Sequence, residues 1–161
     1  MNIRMFLVDD AEETIEALST VYNAHPHLQV VGFEACGLEA LETIRTRQAD
    51  IDIVSLDIQL GDANGMDICR QVRREFPHLF VVMCSLEADL KVQQTAHAMG
   101  ANYFLAKPFG LQEINDMIQA YRAFMTPAVV GESGEAMNVD GWVNSLLKTL
   151  EMEEDGGVDN R

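Results

Sequence analysis

The run Ile51-Asp52-Ile53-Val54-Ser55-Leu56-Asp57 decides the fold, because it is a short apolar segment that ends in a carboxylate. Such runs, rich in branched aliphatic side chains, are typical of strands that are buried on both faces of a sheet. The run therefore predicts a central strand with Asp57 at its C-terminal end. In an open α/β sheet, ligands bind in the crevice outside these strand ends, so we expect chemistry beside Asp57.

Four more apolar runs repeat this pattern, and amphipathic segments with helical spacing separate them. The alternation predicts an α/β fold, with one five-stranded parallel sheet and helices on both of its faces. Among the helices, the stripe from Ile114 to Met125 is the clearest and the one from Asp89 to Met99 is the loosest. The other predicted strands are Ile3 to Val8, Gln29 to Phe33, Phe80 to Cys84 and Asn102 to Ala106.

The 161 residues divide into a predicted domain over 1–125 and a different segment over 126–161. The segment begins with a linker that contains proline and glycine. An apolar stripe from Val139 to Leu150 then predicts a helical extension, and an acidic end follows. Three readings of this helix stay open: it docks on its own domain, pairs with a second copy as a dimer, or binds a partner. The segment is too short for an output domain, although it can also be the start of a linker to one.

The composition excludes several classes of partner. A formal net charge of -15 argues against direct binding to nucleic acid, which requires clustered lysine and arginine. No apolar stretch approaches the roughly 18 residues of a membrane span, and the start of the chain has no secretory pattern. We therefore expect a cytoplasmic protein that binds neither nucleic acid nor membrane.

Cysteine and histidine residues are expected to have no role in metal binding. The three cysteines form no C-x-x-C pair and lie in apolar surroundings, so we interpret them as reduced packing residues. The histidines have no metal-ligand spacing, and we interpret all four as surface residues. These residues are Cys36, Cys69, Cys84, His25, His27, His78 and His97.

Polar side chains follow the ends of four predicted strands. Asp9 and Asp10 follow the first strand, Asp57 the third, Ser85 the fourth and Lys107 the fifth. Two carboxylates about 4 Å apart repel each other by roughly 4 kcal/mol at an effective dielectric constant near 20, so this acidic cluster needs a cation. Oxygen ligands without histidine or cysteine favour Mg²⁺ over zinc.

With a cation in place, this group of side chains suits phosphoryl transfer. The Asp57 carboxylate can attack a phosphoryl group and form an aspartyl phosphate. Lys107 and Ser85 can then bind two of the phosphoryl oxygens and neutralise the charge that develops on them. Each residue alone is a weak signal, whereas their joint placement at four strand ends is specific.

These residues also carry a family resemblance. From Ile3 to about Met125 the chain resembles the receiver domain of two-component response regulators. The matching features are Phe6-Leu7-Val8-Asp9-Asp10, Asp57 with Gly65 eight residues later, Ser85, and Tyr103-Phe104-Leu105-Ala106-Lys107-Pro108-Phe109. The resemblance implies a flavodoxin-like fold with strand order 2-1-3-4-5.

The resemblance also implies roles for these residues. Asp57 accepts phosphate from a histidine kinase or a phosphotransfer protein. Mg²⁺ is held by Asp10, Asp57 and the backbone carbonyl of Gln59, with Asp9 acting mostly through water. Lys107 and Ser85 bind the phosphoryl oxygens.

A switch is implied as well. The Ser85 hydroxyl moves toward the phosphoryl group, and Phe104 turns inward into the space that is vacated. This local change in charge shifts the equilibrium between two conformations of a surface that binds a downstream protein partner.

The sequence departs from the family pattern near Asp57. Gly61 replaces the usual proline, which loosens the loop beside the metal. Leu86 replaces a small residue and narrows the entrance to the site. Gln59 and Glu87 line the same entrance, where the Glu87 carboxylate can repel an incoming anion; two solvated polar side chains are the equally weighted alternative.

Two other functions remain open from the sequence. One is a binding module that signals without phosphate, an alternative that the bulky Leu86 suggests. The other is a phosphohydrolase that forms an aspartyl phosphate in each turnover. The second is disfavoured because such enzymes need an acid two residues after the nucleophile, where this chain has Gln59. In the favoured interpretation the protein catalyses only its own phosphorylation and dephosphorylation and is not otherwise an enzyme.

Overall fold

The computed structural model describes residues 1–126, 129–130 and 136–137. Over residues 1–126, five strands alternate with five helices, and a single 3₁₀ turn, Gln48–Asp50, precedes the third strand. The elements are β1 (Ile3–Val8), α1 (Glu12–Asn23), β2 (Leu28–Glu34), α2 (Gly37–Arg47), β3 (Ile53–Leu56), α3 (Gly65–Glu75), β4 (Phe80–Ser85), α4 (Leu90–Ala98), β5 (Tyr103–Ala106) and α5 (Leu111–Met125).

All five strands are parallel, and their order is β2-β1-β3-β4-β5. This is the flavodoxin-like, doubly wound arrangement, so the predicted fold class and strand order are confirmed. The order reverses direction at β1, which places β3 beside β1 and brings the ends of these two strands together. The predicted site lies at this topological switch point.

The core has one layer on each side of the sheet. On β1, Phe6 and Val8 belong to a cluster that includes Ile44 of α2 and Val72 of α3. The neighbouring residues Met5 and Leu7 point to the other face and are also completely buried. Every residue of β3 and β4 is buried, as expected for central strands covered by helices on both faces.

Strand β3 begins two residues later than predicted. Asp52 precedes it, and its carboxylate accepts hydrogen bonds from the backbone N–H and the guanidinium of Arg4, at 2.8 to 3.0 Å. This contact lowers the pKa of Asp52 against the opposing effect of its partial burial. The Asp52 carboxylate therefore joins the start of β3 to β1.

Helix α4 forms although its apolar stripe is loose. The Asp89 carboxylate accepts a hydrogen bond of 2.9 Å from the Val92 N–H, which satisfies an N–H group of the first turn. At the other end, Gly100 has φ of +101°, a conformation that a side chain disfavours. A cap at each end thus defines this helix, of which only Ala96 is buried.

Strand β2 lies at an edge of the sheet, and two side chains bind its backbone. The Asn23 side chain accepts a hydrogen bond from the Val30 N–H at 2.9 Å, and the Arg47 guanidinium donates one to the Val31 carbonyl at 3.1 Å. The pairing of β1 with β2 shifts register between Met5 and Phe6. A bulge is one of the ways in which proteins protect an edge strand.

Two interpretations of single residues were wrong. His25 is buried; its Nε2 lies 2.9 Å from the Asn115 side chain, and its Nδ1 accepts a hydrogen bond from the His27 N–H. Cys36 is half-buried and its thiol donates to Asp62, which is a polar contact. The other two cysteines are buried as expected, and burial raises the pKa of Cys69 and of Cys84 to about 12.

The chain forms two compact units, Met1–Ala120 and Tyr121–Arg161. In the second unit, Val129–Val130 and Ala136–Met137 pair as short antiparallel strands within the segment expected to be a linker. The sequence pattern did not predict this pair. The predicted helix from Val139 to Leu150 and the dimer through it lie outside the described residues. The division at residue 125 stays a prediction.

No helix in the part of the chain that the structure describes has the length and apolar character needed to cross a bilayer.

Candidate functional site

Two neighbouring strand ends bring three carboxylates together. The N–H of Asp57 binds the Val8 carbonyl at 2.9 Å, which fixes the end of β3 beside the end of β1. Asp9 is buried, Asp10 is exposed and Asp57 is intermediate. One oxygen from each carboxylate lies within 4.8 Å of the others. Among the described residues, this is the one convergent group of three or more acidic, cysteine or histidine side chains.

Lys107 supplies a positive charge to this cluster. Its Nζ donates to Asp9 at 2.8 Å and lies 3.5 Å from the Asp57 carboxylate. The Lys107 N–H binds the Ser85 carbonyl at 2.8 Å, so the ends of β4 and β5 are joined at the same edge, and the Lys107–Pro108 peptide bond is cis. The Lys107 side chain is 12% exposed and that of Asp9 only 2%, so this ion pair is largely removed from water.

Burial and the neighbouring charges together place the pKa of Asp57 above its ordinary value. Burial raises the pKa of Asp57, the Lys107 ammonium opposes this effect, and the negative charge of Asp9 adds to it. For Lys107, burial lowers the pKa, but the hydrogen bond to Asp9 and the nearby acidic groups outweigh it and raise the pKa overall. The net rise in the pKa of Asp57 therefore comes mainly from burial, because the effect of the Lys107 ammonium is larger than that of the Asp9 charge.

A cavity of about 190 Å³ opens beside Asp57. The Ser85 hydroxyl, almost completely buried, accepts a hydrogen bond of 3.1 Å from the Glu87 N–H. Across the entrance, the Gln59 amide donates to the Glu87 carboxylate at 3.1 Å. Leu86, at the same entrance, is 79% exposed. The cavity is lined by Asp57, Gln59, Ser85, Leu86, Glu87 and Lys107.

The loop after Asp57 is closed at its base. The Gly65 N–H binds the Ile58 carbonyl at 2.7 Å, and Gln59 pairs with Asn64 as an isolated antiparallel bridge. A side chain on Gly65 would collide with the Asp57 carbonyl and come within 2.9 Å of the Ile58 Cα. Gly65 is therefore required for the close approach of α3 to the end of β3.

Phe104 lies on β5 opposite Met83 of β4. Its ring is partly buried and packs against the cluster on one face of the sheet. The structure brings together Asp9, Asp10, Asp57 and Lys107 and places Ser85 on the same cavity. Phe104 is three residues from Lys107 along β5, and its proposed role as a switch stays a prediction.

The acidic cluster has the donor set that Mg²⁺ requires. Its side-chain ligands are carboxylate oxygens, and the exposed Asp10 leaves one side open to water. Mg²⁺ keeps several waters and is commonly bound through one or two carboxylates together with phosphate oxygens. The residues present fit this ion.

Asp62 is not among the site residues that the sequence predicted. Its carboxylate, in the loop after Asp57, accepts hydrogen bonds from the start of α2. No local pattern marks this contact, because its partners lie about 25 residues away in the chain.

Comparison with known proteins agrees with this geometry. The family model for the response regulator receiver domain matches residues 5–119. A curated relative, the protein-glutamate methylesterase/protein-glutamine glutaminase of Thermotoga maritima, is 28% identical over 139 residues, which are 86% of this chain and 38% of that protein. The protein of the same name from Geobacillus kaustophilus is 34% identical over 110 residues, 67% of this chain and 31% of that protein. The chain thus spans about a third of the length of these relatives.

Solved structures show the same fold. The response regulator domain of Thermotoga maritima CheB has a TM-score of 0.63 and 28% identity, covering 76% of this chain and 95% of that chain. A chain in the CheX-CheY-BeF3-Mg+2 complex from Borrelia burgdorferi has a TM-score of 0.68 and 21% identity, covering 73% and 87%. Because the family model covers most of the chain and the strand order agrees, the chain belongs to the family of response regulator receiver domains of two-component systems, whose function is phosphorylation on aspartate.

Proposed function

We propose that Asp57 accepts a phosphoryl group from a phosphohistidine of a histidine kinase or a phosphotransfer protein. A carboxylate oxygen of Asp57 forms a bond to phosphorus while the N–P bond to the imidazole breaks, and the imidazole leaves. The observation that carries the proposal is the 3.5 Å contact between Lys107 and Asp57 at the edge of a cavity lined by Ser85. The Lys107 ammonium and the Ser85 hydroxyl can each bind a phosphoryl oxygen there.

Mg²⁺ is the proposed cofactor, held by Asp10, Asp57 and the backbone carbonyl of Gln59. Buried Asp9 contributes mostly through water, because its carboxylate already binds Lys107 and the Ala11 N–H. When bound, the ion neutralises the carboxylates and the charge on the phosphoryl oxygens. The Lys107 ammonium favours the ionised form of Asp57, and the hydrogen bond from the Asp57 N–H to the Val8 carbonyl holds this residue at the end of β3.

Phosphorylation is proposed to change a surface that binds a downstream protein. The Ser85 hydroxyl now accepts from the Glu87 N–H, whereas a phosphoryl oxygen would take the Ser85 O–H as a donor. The movement of Ser85 opens space beside β5, into which Phe104 turns. In this proposal the protein signals by contact, modifies only itself as a catalyst, and works in the cytoplasm without binding nucleic acid.

Mass measurement tests the proposal directly. After incubation with Mg²⁺ and a small phosphodonor such as acetyl phosphate, we expect the protein to gain one phosphate and Asp57→Ala to gain none. Asp67→Ala, which removes an exposed carboxylate of α3, is the matched control and should be phosphorylated like the unchanged protein. No gain by the unchanged protein, or a gain that survives Asp57→Ala, contradicts the proposal.

The side chains at the entrance are proposed to regulate access. Gln59 and Glu87 are joined across the mouth of the cavity, and Leu86 borders it. A phosphodonor is an anion, so it has to pass the Glu87 carboxylate to reach Asp57. The expected result is a slow reaction with small anionic donors that depends on ionic strength.

Replacing Glu87 by glutamine removes this charge and keeps the length of the side chain. We expect phosphorylation by acetyl phosphate to become about two- to fivefold faster at low salt, and the difference to shrink at high salt. Asp67→Asn removes an exposed charge that does not line the cavity and should leave the rate unchanged. A Glu87→Gln rate that equals the unchanged protein's at every salt concentration would exclude this role.

A further inference from the structure

We propose that Asp62 is a positioning residue that fixes the loop after Asp57 against the start of α2 and thereby holds the Gln59 carbonyl toward the metal. One Asp62 oxygen accepts from the Gly37 N–H at 2.8 Å. The other accepts from the Leu38 N–H at 3.0 Å and from the Cys36 thiol at 3.1 Å. The inference rests on the proposed function, because it assigns the Gln59 carbonyl to Mg²⁺.

The start of α2 is built to receive this carboxylate. Cys36 occupies the N-cap position, yet its own side chain makes no capping hydrogen bond. The first N–H groups of a helix have no partner within the helix, and a carboxylate is also favoured there by the helix dipole. Asp62 therefore caps α2 from another part of the chain. These hydrogen bonds lower the pKa of Asp62 to about 2, so the carboxylate is ionised at neutral pH.

The contact between the loop and α2 extends beyond the Asp62 carboxylate to other residues of the loop. A side chain on Gly37 would come within 2.9 Å of the Leu60 side chain and within 3.3 Å of Ala63. The backbone of α2 thus lies directly on the loop, and Leu60 is buried under it. The loop is held at two places: its base is closed between Ile58 and Gly65, and its tip is bound to α2 through Asp62.

This attachment matters because Gly61 lies inside the loop. Glycine has more backbone freedom than any other residue, and a metal ligand on a mobile backbone binds weakly because ordering it costs entropy. Gln59 is two residues before Gly61, and the Asp62 contact limits the movement of the segment between them. Groups that hold metal ligands in place commonly affect metal affinity by an order of magnitude or more.

The test compares Mg²⁺ binding by Asp62→Ala, Asp62→Asn and Glu39→Ala, measured by titration calorimetry on the full chain. We expect Asp62→Ala to weaken Mg²⁺ binding about five- to tenfold and Asp62→Asn, which keeps one acceptor oxygen, to weaken it less. Glu39 is an exposed acid in the same first turn of α2, so Glu39→Ala removes an equal charge. It should change the affinity less than twofold.

Two further readouts separate positioning from general stability. Amide exchange between residues 58 and 64 should become faster in Asp62→Ala while the amides of β3 and β4 stay protected. The phosphorylation rate of Asp62→Ala should recover to within about twofold at saturating Mg²⁺, because the variant retains Asp57 and Lys107. A rate that stays low at saturating Mg²⁺ contradicts positioning.

The two hypotheses fail in different ways. If Asp62→Ala binds Mg²⁺ as tightly as the unchanged protein, the positioning role is wrong even when phosphorylation proceeds. If the unchanged protein gains no phosphate but the Asp62 variants still weaken Mg²⁺ binding, the proposed function fails and the positioning role stands. An unchanged protein that binds no Mg²⁺ overturns both.

Discussion

Replacing Lys107 by alanine is expected to lower the free energy of unfolding by about 3 kcal/mol in metal-free buffer. The Lys107 ammonium is the close partner of Asp9, whose carboxylate is only 2% exposed, and it also lies 3.5 Å from Asp57. Without it, a buried carboxylate loses its charge partner while its neighbours still repel it. Urea unfolding in the presence of a chelator measures the loss.

The stability loss of Lys107→Ala should differ between metal-free buffer and saturating Mg²⁺. A divalent ion among the carboxylates takes over part of the missing charge, so saturating Mg²⁺ should reduce the deficit of Lys107→Ala markedly. Lys91→Ala, which removes an exposed lysine of α4, should be neutral under both conditions. If Lys107→Ala does not fold without metal, Lys107→Arg keeps the charge and should show a smaller loss. A deficit that Mg²⁺ leaves unchanged contradicts the proposed coupling between the ion and this cluster.

Gly65→Ala is expected to destabilise the fold by about 3 kcal/mol, because the added methyl group has no space. It would collide with the Asp57 carbonyl and approach the Ile58 Cα, and both are backbone atoms at the end of a buried strand. The loop or α3 therefore has to move, which also displaces Gln59. Urea unfolding gives the stability, and the rate of phosphate uptake gives the effect on the site.

Gly61→Ala is the matched control in the same loop. At Gly61 an added methyl group would lie 3.6 Å from an Asp10 carboxylate oxygen, which is an ordinary contact. Its φ is not in the left-handed region, so the change should be neutral or slightly stabilising through the unfolded chain. Equal stabilities of Gly65→Ala and Gly61→Ala would show that the loop accommodates the methyl group at both positions.

The strand ends could be predicted from the sequence because they follow from local pattern and general topology. Short apolar runs identify β1, β3, β4 and β5, and parallel strands in a doubly wound sheet present their C-terminal ends at one edge. Asp9, Asp57, Ser85 and Lys107 therefore share an edge whatever the details of the loops. The chemical roles proposed for them follow from residue types and from the family resemblance.

Contacts between distant side chains could not be predicted in this way. The burial of His25 depends on Asn115, which is 90 residues away, and the capping of α2 depends on Asp62, 25 residues after Gly37. The hydrogen bond between Gln59 and Glu87 likewise joins two loops. Each residue has a polar side chain that suits an exposed loop equally well, so only the packed structure identifies its partner.

The binding of Asn23 and Arg47 to the backbone of β2 has a consequence for how copies of this protein coexist. The unpaired backbone groups of an edge strand can pair with a strand of a second molecule, and such pairing can continue from one molecule to the next. On β2, two backbone groups already form hydrogen bonds with side chains of the same molecule. Association of two molecules through β2 is thereby made less favourable.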